Sequence, residues 1–385
     1  MAAVAHPDRI LVVNAGSSSL KLRVLDARDA IVAKADLPAP RGSTDAVAVA
    51  EANRGFGPVD AVGHRIVHGG TQFSSPVVID PGVVRSIRAL TDLAPLHQPK
   101  SLAALDVVTG VLPGVPAVAC FDTAFHATLP AAASTYALPP EWRKRWDLRR
   151  YGFHGLSHAY ASRRVAELLG RPVDGLRIVT CHLGAGASLA AIVDGRSVDT
   201  TMGFTPLEGL VMATRSGSVD PGLVLWLEEH AGTPPAELAA TLEHRSGMLG
   251  LAGTADMRVI VDSAAAGGAD ARLALDVYVH RLRGSIAAMT ASLGGVDALV
   301  FTGGVGEHSP TVRALAAERL GFLGIELDAA RNDDGPDERE IGAPGLPVRT
   351  FVIVAREDLQ IAHEVRAVLA ARPEARSESS PATSS

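Results

Sequence analysis

Four short loops, each rich in small residues, carry one ionic side chain apiece. Arg65 lies in Gly63-His64-Arg65-Ile66-Val67-His68-Gly69-Gly70, and Asp122 in Phe121-Asp122-Thr123-Ala124-Phe125-His126. His154 lies in Tyr151-Gly152-Phe153-His154-Gly155-Leu156-Ser157-His158, and Arg215 in Thr214-Arg215-Ser216-Gly217. A lone His or Arg in a loop is ordinarily structural or solvated. Four such loops in one chain fit a catalytic cleft better than a surface. Two arginines, a histidine and a carboxylate suit chemistry in which charge develops on oxygen and is met by fixed donors. No convincing Ser-His-Asp order is present, and no H-E-x-x-H zinc motif.

Three glycine-rich turns accompany these loops. Asn14-Ala15-Gly16-Ser17-Ser18-Ser19-Leu20-Lys21 offers backbone N–H groups and hydroxyls that suit phosphate oxygens. It is not a Walker A loop, because the spacing differs and a strand rather than a helix follows. His182-Leu183-Gly184-Ala185-Gly186-Ala187-Ser188 is a second turn after a strand. Phe301-Thr302-Gly303-Gly304-Val305-Gly306-Glu307-His308 is a strand that ends in glycines, where a ligand can approach a helix N-terminus. Each turn alone is an ordinary hairpin or βα bend. Two similar hairpins in opposite halves of the chain point to a shared phosphate site and to two related halves.

The elements that must position these groups follow from periodicity. Ile10–Val13 is an apolar run, and Leu20–Leu25 alternates with period two, so strand, turn, strand is expected. The layout returns at Ile178–Thr180 and Ser188–Val193. Helical spacing is found over Pro99–Val111, Ser157–Leu169 with Ser157 as N-cap, Leu273–Leu293 and Ile361–Ala371. Short strands are expected at Ala298–Phe301 and Val348–Val354. The Arg- and Lys-rich stretch Trp142–Arg150 reads as a surface connection between halves, and the chain beyond Arg372 as a disordered tail, 373–385. Strands alternating with helices give an α/β class.

Composition sets the bounds. The 385 residues suggest about two or three domains. A net charge of -6 argues against a general nucleic-acid binder. The two cysteines, Cys120 and Cys181, support neither a disulfide framework nor a zinc cluster. No signal peptide and no apolar run long enough for a membrane span are found, so a cytoplasmic location is the default expectation.

Taken together, the segments Asn14–Lys21, Gly63–Gly70, Phe121–His126, Tyr151–His158, His182–Ser188, Met202–Gly222 and Phe301–His308 resemble the acetokinase family, of the superfamily that holds sugar kinases, Hsp70 and actin. The resemblance runs from about Ile10 to Ala362. It implies a two-domain actin-like ATPase (ribonuclease H-like) fold, each half a mixed five-stranded β-sheet flanked by helices, with ATP in the cleft between halves and a homodimer as the assembly. Residues 1–150 are then the N-terminal domain, joined by a C-terminal helix at about 358–372. Residues 151–357 are the second domain, with the nucleotide contacts and the dimer interface. The reaction implied is reversible transfer of a phosphoryl group from ATP to acetate, giving acetyl phosphate and ADP, with Mg²⁺, Mn²⁺ being an alternative.

Residue by residue, the resemblance implies Asn14 and Glu357 at the metal and Lys21 at the ATP phosphates. It implies Arg65 at the substrate carboxylate, and Val67, Leu96, Phe153 and Pro206 around the acetate methyl group. Asp122 matches the essential carboxylate, and His154 with Arg215 the pair at the transferring phosphoryl group. His182, Leu183, Gly184, Ala185, Gly186, Asp256, Met257, Arg258, Gly304, Val305, Gly306, Glu307 and His308 match nucleotide contacts. The chain departs from the family pattern at Ala185, Ser218, His308 and Arg356, where Asn, Asp, Asn and Asn are usual. The alternatives are a kinase for propionate or another short carboxylate, and a non-catalytic actin-like nucleotide-binding protein. The fold alone does not separate these.

Overall fold

The computed structural model describes residues 7–16, 19–39, 44–94 and 97–371. Leu96 and the tail 373–385 therefore lie outside the described residues. The chain forms two compact units. One comprises Met1–Ile66, Ser75–Cys120 and Asp358–Ser385, the other Val67–Ser74 and Phe121–Glu357.

In the first unit, β1 (Ile10–Ala15), β2 (Ser19–Leu25) and β3 (Ile31–Pro38) form an antiparallel meander. β4 (Ala61–Ile66) adds parallel to β1, and β5 (Val77–Val78) and β6 (Ala117–Phe121) complete the order β3-β2-β1-β4-β6-β5. Alternation in β2 sends Leu20, Leu22 and Val24 to one face. They pack there with Leu11, Val13, Val49 and Val108. On β4, a Cβ at Gly63 would stand 2.4 Å from Ile361 Cγ2 and 2.8 Å from Val365 Cγ2. Both are on the helix Glu357–Ala370, which packs directly on the Gly63 backbone. Gly63 is thus explained by close approach rather than by chemistry.

The second unit repeats the design. β7 (Arg177–Leu183), β8 (Ala187–Val193) and β9 (Arg196–Thr200) form the meander. β10 (Ala298–Thr302) is parallel to β7, β12 (Arg349–Val352) is parallel to β10, and β11 (Arg339–Glu340) pairs antiparallel at the edge. The order β9-β8-β7-β10-β12-β11 matches β3-β2-β1-β4-β6-β5 strand for strand. The repeat suggested by the two hairpins is therefore a repeat of topology. Among the described residues each sheet has six strands, not the five implied by the resemblance, because each gains a two-residue edge strand, too short to leave a period in the sequence.

Both faces of the second sheet are covered. Val179, Cys181 and Leu183 pack with Leu275, Tyr278, Leu282 and Ile286 of the long helix Ala269–Ser292. Ile178, Ala190 and Ile192 pack with Ala161 and Val165 of the helix Gly155–Leu169. Period two then puts Thr180 and His182 on the same face as Ile178, and Ser188 on the same face as Ala190. That face runs from apolar to polar toward the turn between β7 and β8.

Two expectations need correction. The helix expected from Ser157 begins at Gly155, with His154 at its N-cap in the left-handed region at φ 57. Ser157 is free for another partner because the cap lies three residues earlier. The stretch to Arg150 is no mere connection, since Arg150 donates to the carbonyls of Thr201 and Met202 and pairs with Glu208 at 2.7 Å. Residues 121–150 belong to the second compact unit.

Candidate active site

The histidine loop is built by two glycines. Gly152 has φ +74, and a Cβ there would meet the His126 ring at 2.6 Å. A Cβ at Gly155 would stand 2.2 Å from the Asp122 carbonyl oxygen, which accepts a 2.9 Å bond from Gly155 N–H. The motif around His154 is thus the shape needed to press one loop onto the backbone of Asp122. Asp122 itself is 1% exposed. His154, a left-handed non-glycine residue, occupies the kind of uncommon backbone state that gathers at functional sites.

His154 Nδ1 lies 2.9 Å from Ser188 Oγ, and its ring stacks on His182 at 4.4 Å. His182 Nδ1 is 2.8 Å from Ser157 Oγ. A Cβ at Gly186 would stand 3.2 Å from His154 Nε2 and 3.4 Å from Arg215 Nη1. The missing side chain of Gly186 therefore leaves a small space bordered by an imidazole edge and a guanidinium. Arg215 donates through Nη1 to the Pro206 carbonyl and pairs through Nε with Glu243 at 3.1 Å. Burial lowers its pKa and the Glu243 carboxylate opposes that shift, so the guanidinium stays charged.

Behind this edge lie buried neutral histidines. His126 Nε2 is 3.0 Å from the Phe153 carbonyl and Nδ1 is 2.8 Å from Ser197 Oγ. A carbonyl only accepts, so Nε2 carries the proton. Burial pushes the His126 pKa down to about 4. Val67 and Phe153 belong to one apolar cluster of the second unit, and the His68 ring lies edge-on to Tyr151 and Phe153 at 4.5 and 5.5 Å.

A cavity of about 820 Å³ opens beside the β7–β8 turn. It is lined by Gly184, Ala185, Asp256, Met257, Arg258, Gly304, Val305 and His308. All eight were singled out in the sequence as nucleotide contacts. Its size suits a nucleotide-sized ligand. Leu183 and Gly306 are buried beneath it rather than lining it. Glu307 Oε1 instead accepts from Gly303 N–H and Ala355 N–H, pinning the β10 turn. Ala213, Met248 and Tyr278 also line the cavity and were missed. Tyr278 reads in the sequence as one more core position of a helix, and nothing in its spacing marks it.

In the first unit, Asn14 and Lys21 are opposite each other in the β1–β2 register. Asn14 Oδ1 accepts from Arg65 Nη1 at 3.1 Å. Lys21 is exposed. Glu357 opens the helix Glu357–Ala370. Among the described residues no group of three or more His, Cys, Asp or Glu could hold a metal ion.

Two mixed sheets of one repeated topology, each flanked by helices, define a two-domain actin-like ATPase fold. The acetate kinase of Porphyromonas gingivalis superposes with a TM-score of 0.86 at 37% identity, covering 94% of this chain and 100% of that one. A propionate kinase from Francisella tularensis gives 0.84 at 34% identity, covering 93% and 98%. An acetate kinase of Leifsonia xyli is 46% identical over 393 residues, covering 94% of this chain and 99% of the relative. The acetokinase family model matches residues 47–363. The chain belongs to the acetokinase family.

Proposed function

We propose that this chain phosphorylates acetate with ATP, reversibly and by direct in-line transfer. The observation that carries the reading is the convergence of His154 and Arg215 on the space left by Gly186, in the same turn whose Gly184 and Ala185 line a nucleotide-sized cavity. An acetate oxygen attacks the γ-phosphorus, the new O–P bond forms, and the bond to the β–γ bridging oxygen breaks with its electron pair passing to ADP. Acetate is already ionised at neutral pH, so no general base is required. Catalysis then rests on positioning and charge stabilisation.

In this reading Arg215 and His154 donate to the transferring group, and Arg65 binds the carboxylate. Lys21 holds ATP phosphates, and the residues lining the cavity hold the nucleotide. Val67, Phe153 and Pro206 border the methyl group; Leu96, the fourth residue the resemblance implies there, lies outside the described residues. Asp122 orients cationic partners rather than taking a proton. Asp122→Asn is expected to lower kcat about 100-fold with a normal fold; near-normal turnover would remove that role.

Asn14 and Glu357 offer hard oxygen donors of the kind Mg²⁺ or Mn²⁺ accepts. Such an ion would supply charge neutralisation on the phosphate oxygens.

A homodimer is supported by the helix Pro221–Ala231, which buries none of its residues and exposes Leu223, Leu225 and Trp226 at 48, 58 and 53%. No helix among the described residues is long and apolar enough to cross a membrane.

Hydroxylamine trapping of acyl phosphate from acetate, propionate and butyrate tests the reading. Acetate is expected to give the highest kcat/KM. One methylene changes selectivity only about 10- to 200-fold, so some propionate turnover is expected. ATP binding without acyl phosphate from any of the three acids would overturn the reading.

A further inference from the structure

Ser188 Oγ lies 2.9 Å from His154 Nδ1 and 2.8 Å from His158 Nε2, and His158 Nδ1 lies 2.7 Å from Thr180 Oγ1. The run Thr180–His158–Ser188–His154 lies wholly within the second unit, and its first three members have no exposed surface. His158 is held neutral by burial first, and then by the neighbouring His126 and His182, which oppose its charging. It therefore carries one ring N–H.

A neutral run of this kind has two consistent directions. In one, the Thr180 hydroxyl donates to His158 Nδ1, His158 Nε2–H donates to Ser188, and the Ser188 hydroxyl donates to His154 Nδ1. His154 must then keep its own proton on Nε2. In the reverse direction His154 donates from Nδ1, and the run ends with His158 Nδ1–H donating to Thr180. The Thr180 hydroxyl hydrogen would then be buried with no acceptor, since among the described residues its side chain has no other hydrogen-bond partner. An unsatisfied buried donor is disfavoured, so the first direction prevails.

We propose that Thr180, His158 and Ser188 are positioning residues that fix His154 as its Nε2–H tautomer. That nitrogen edge borders the Gly186 space which Arg215 also borders. The inference rests on the reading of that space as the phosphoryl-transfer site. An Nε2–H there donates to a phosphoryl oxygen, whereas the other tautomer turns a lone pair toward negative charge. The sequence hides this device because its members come from a helix and two strands, and only the pairing of β7 with β8 brings them together.

The test is nitrogen NMR of ¹⁵N-histidine-labelled full-length protein without ligands, with His154→Gln to assign the signal. The wild type is expected to show His154 protonated at Nε2, and an Nδ1–H signal would overturn the proposal. Ser188→Ala is expected to mix the tautomers and lower kcat at least about tenfold, with KM for acetate and ATP within about twofold. Ser188→Thr, which keeps a hydroxyl, is expected to restore the signal and most of kcat. Unchanged kcat in folded Ser188→Ala would also overturn it. An Nε2–H signal in a protein that forms no acyl phosphate would retain the tautomer assignment and remove the function. Acyl phosphate formation with an Nδ1–H signal would do the opposite.

Discussion

The two hairpins share a topology but not a character. The β1–β2 hairpin carries exposed Lys21 across from Asn14, with Arg65 reaching Asn14 from β4. The β7–β8 hairpin is sealed on both faces, and its turn is knitted to His154, His182, Ser157 and Arg215. One frame has thus been used in two ways. A solvated lysine is a movable charge that holds a ligand at modest energy. A half-buried guanidinium held by Glu243 and the Pro206 carbonyl, and an imidazole held by Ser188, are preorganised, and fixed donors are what lower a barrier. The first hairpin should therefore govern binding and the second should govern rate.

The largest effect that could break this contrast is the loss of Arg215. Arg215→Ala is expected to lower kcat about 1,000-fold, in the range known for arginines that stabilise phosphoryl transfer. Lys21→Ala is expected to act mainly on binding and raise KM for ATP about tenfold, the loss of one charge-assisted contact. Steady-state kinetics of both variants check the pair. Equal losses of kcat would erase the distinction.

A smaller and sharper comparison uses the two turn glycines. A methyl group at Gly186 must displace the His154 ring or Arg215 by a few tenths of an ångström. Gly186→Ala is therefore expected to lower kcat about tenfold, since displacements near the reacting atoms are costly. At Gly16 the added carbon would meet Ser19 of its own turn, the carbonyl oxygen at 3.2 Å and Oγ at 4.0 Å. Gly16→Ala is expected to change kcat by less than about threefold. Reversal of that order in parallel assays would place the rate-determining geometry in the first hairpin.

The smallest contrast is one the halves should not show. His64 in the first unit and His126 in the second are both buried, and burial pushes each to about 4. The unfolded chain binds a proton near pH 6.5 that the folded chain refuses. Stability is therefore complete above about pH 6.5 and falls as the pH drops toward 4. The melting temperature should decline across that window in wild type and in Arg215→Ala alike. A flat profile from pH 7 to 5 would contradict the burial of these rings.

Much of this was legible in the residues. Period two gave both hairpins, and the spacing of Leu102, Leu105 and Val108 gave the helix Gln98–Val111. Eight proposed nucleotide positions line one cavity, because turn glycines and a short triplet such as Asp256-Met257-Arg258 keep their identity in local sequence. What stayed hidden depends on register between distant segments. Ser157 looked like a helix cap, and the fold uses it to hold His182. Glu307 ties two backbone N–H groups, a role its place in the sequence does not reveal. Thr180 and Ser188 are buried polar residues set among apolar neighbours in their strands, and that contrast is their mark in the sequence.

The central claim is that the donors around Gly186 move a phosphoryl group to acetate rather than to water. Phosphorus NMR of the protein with ATP, Mg²⁺ and acetate observes the fate of the γ-phosphoryl directly. The account predicts an acetyl phosphate signal growing in step with ADP. ADP accompanied only by inorganic phosphate, or no turnover at all, would contradict it.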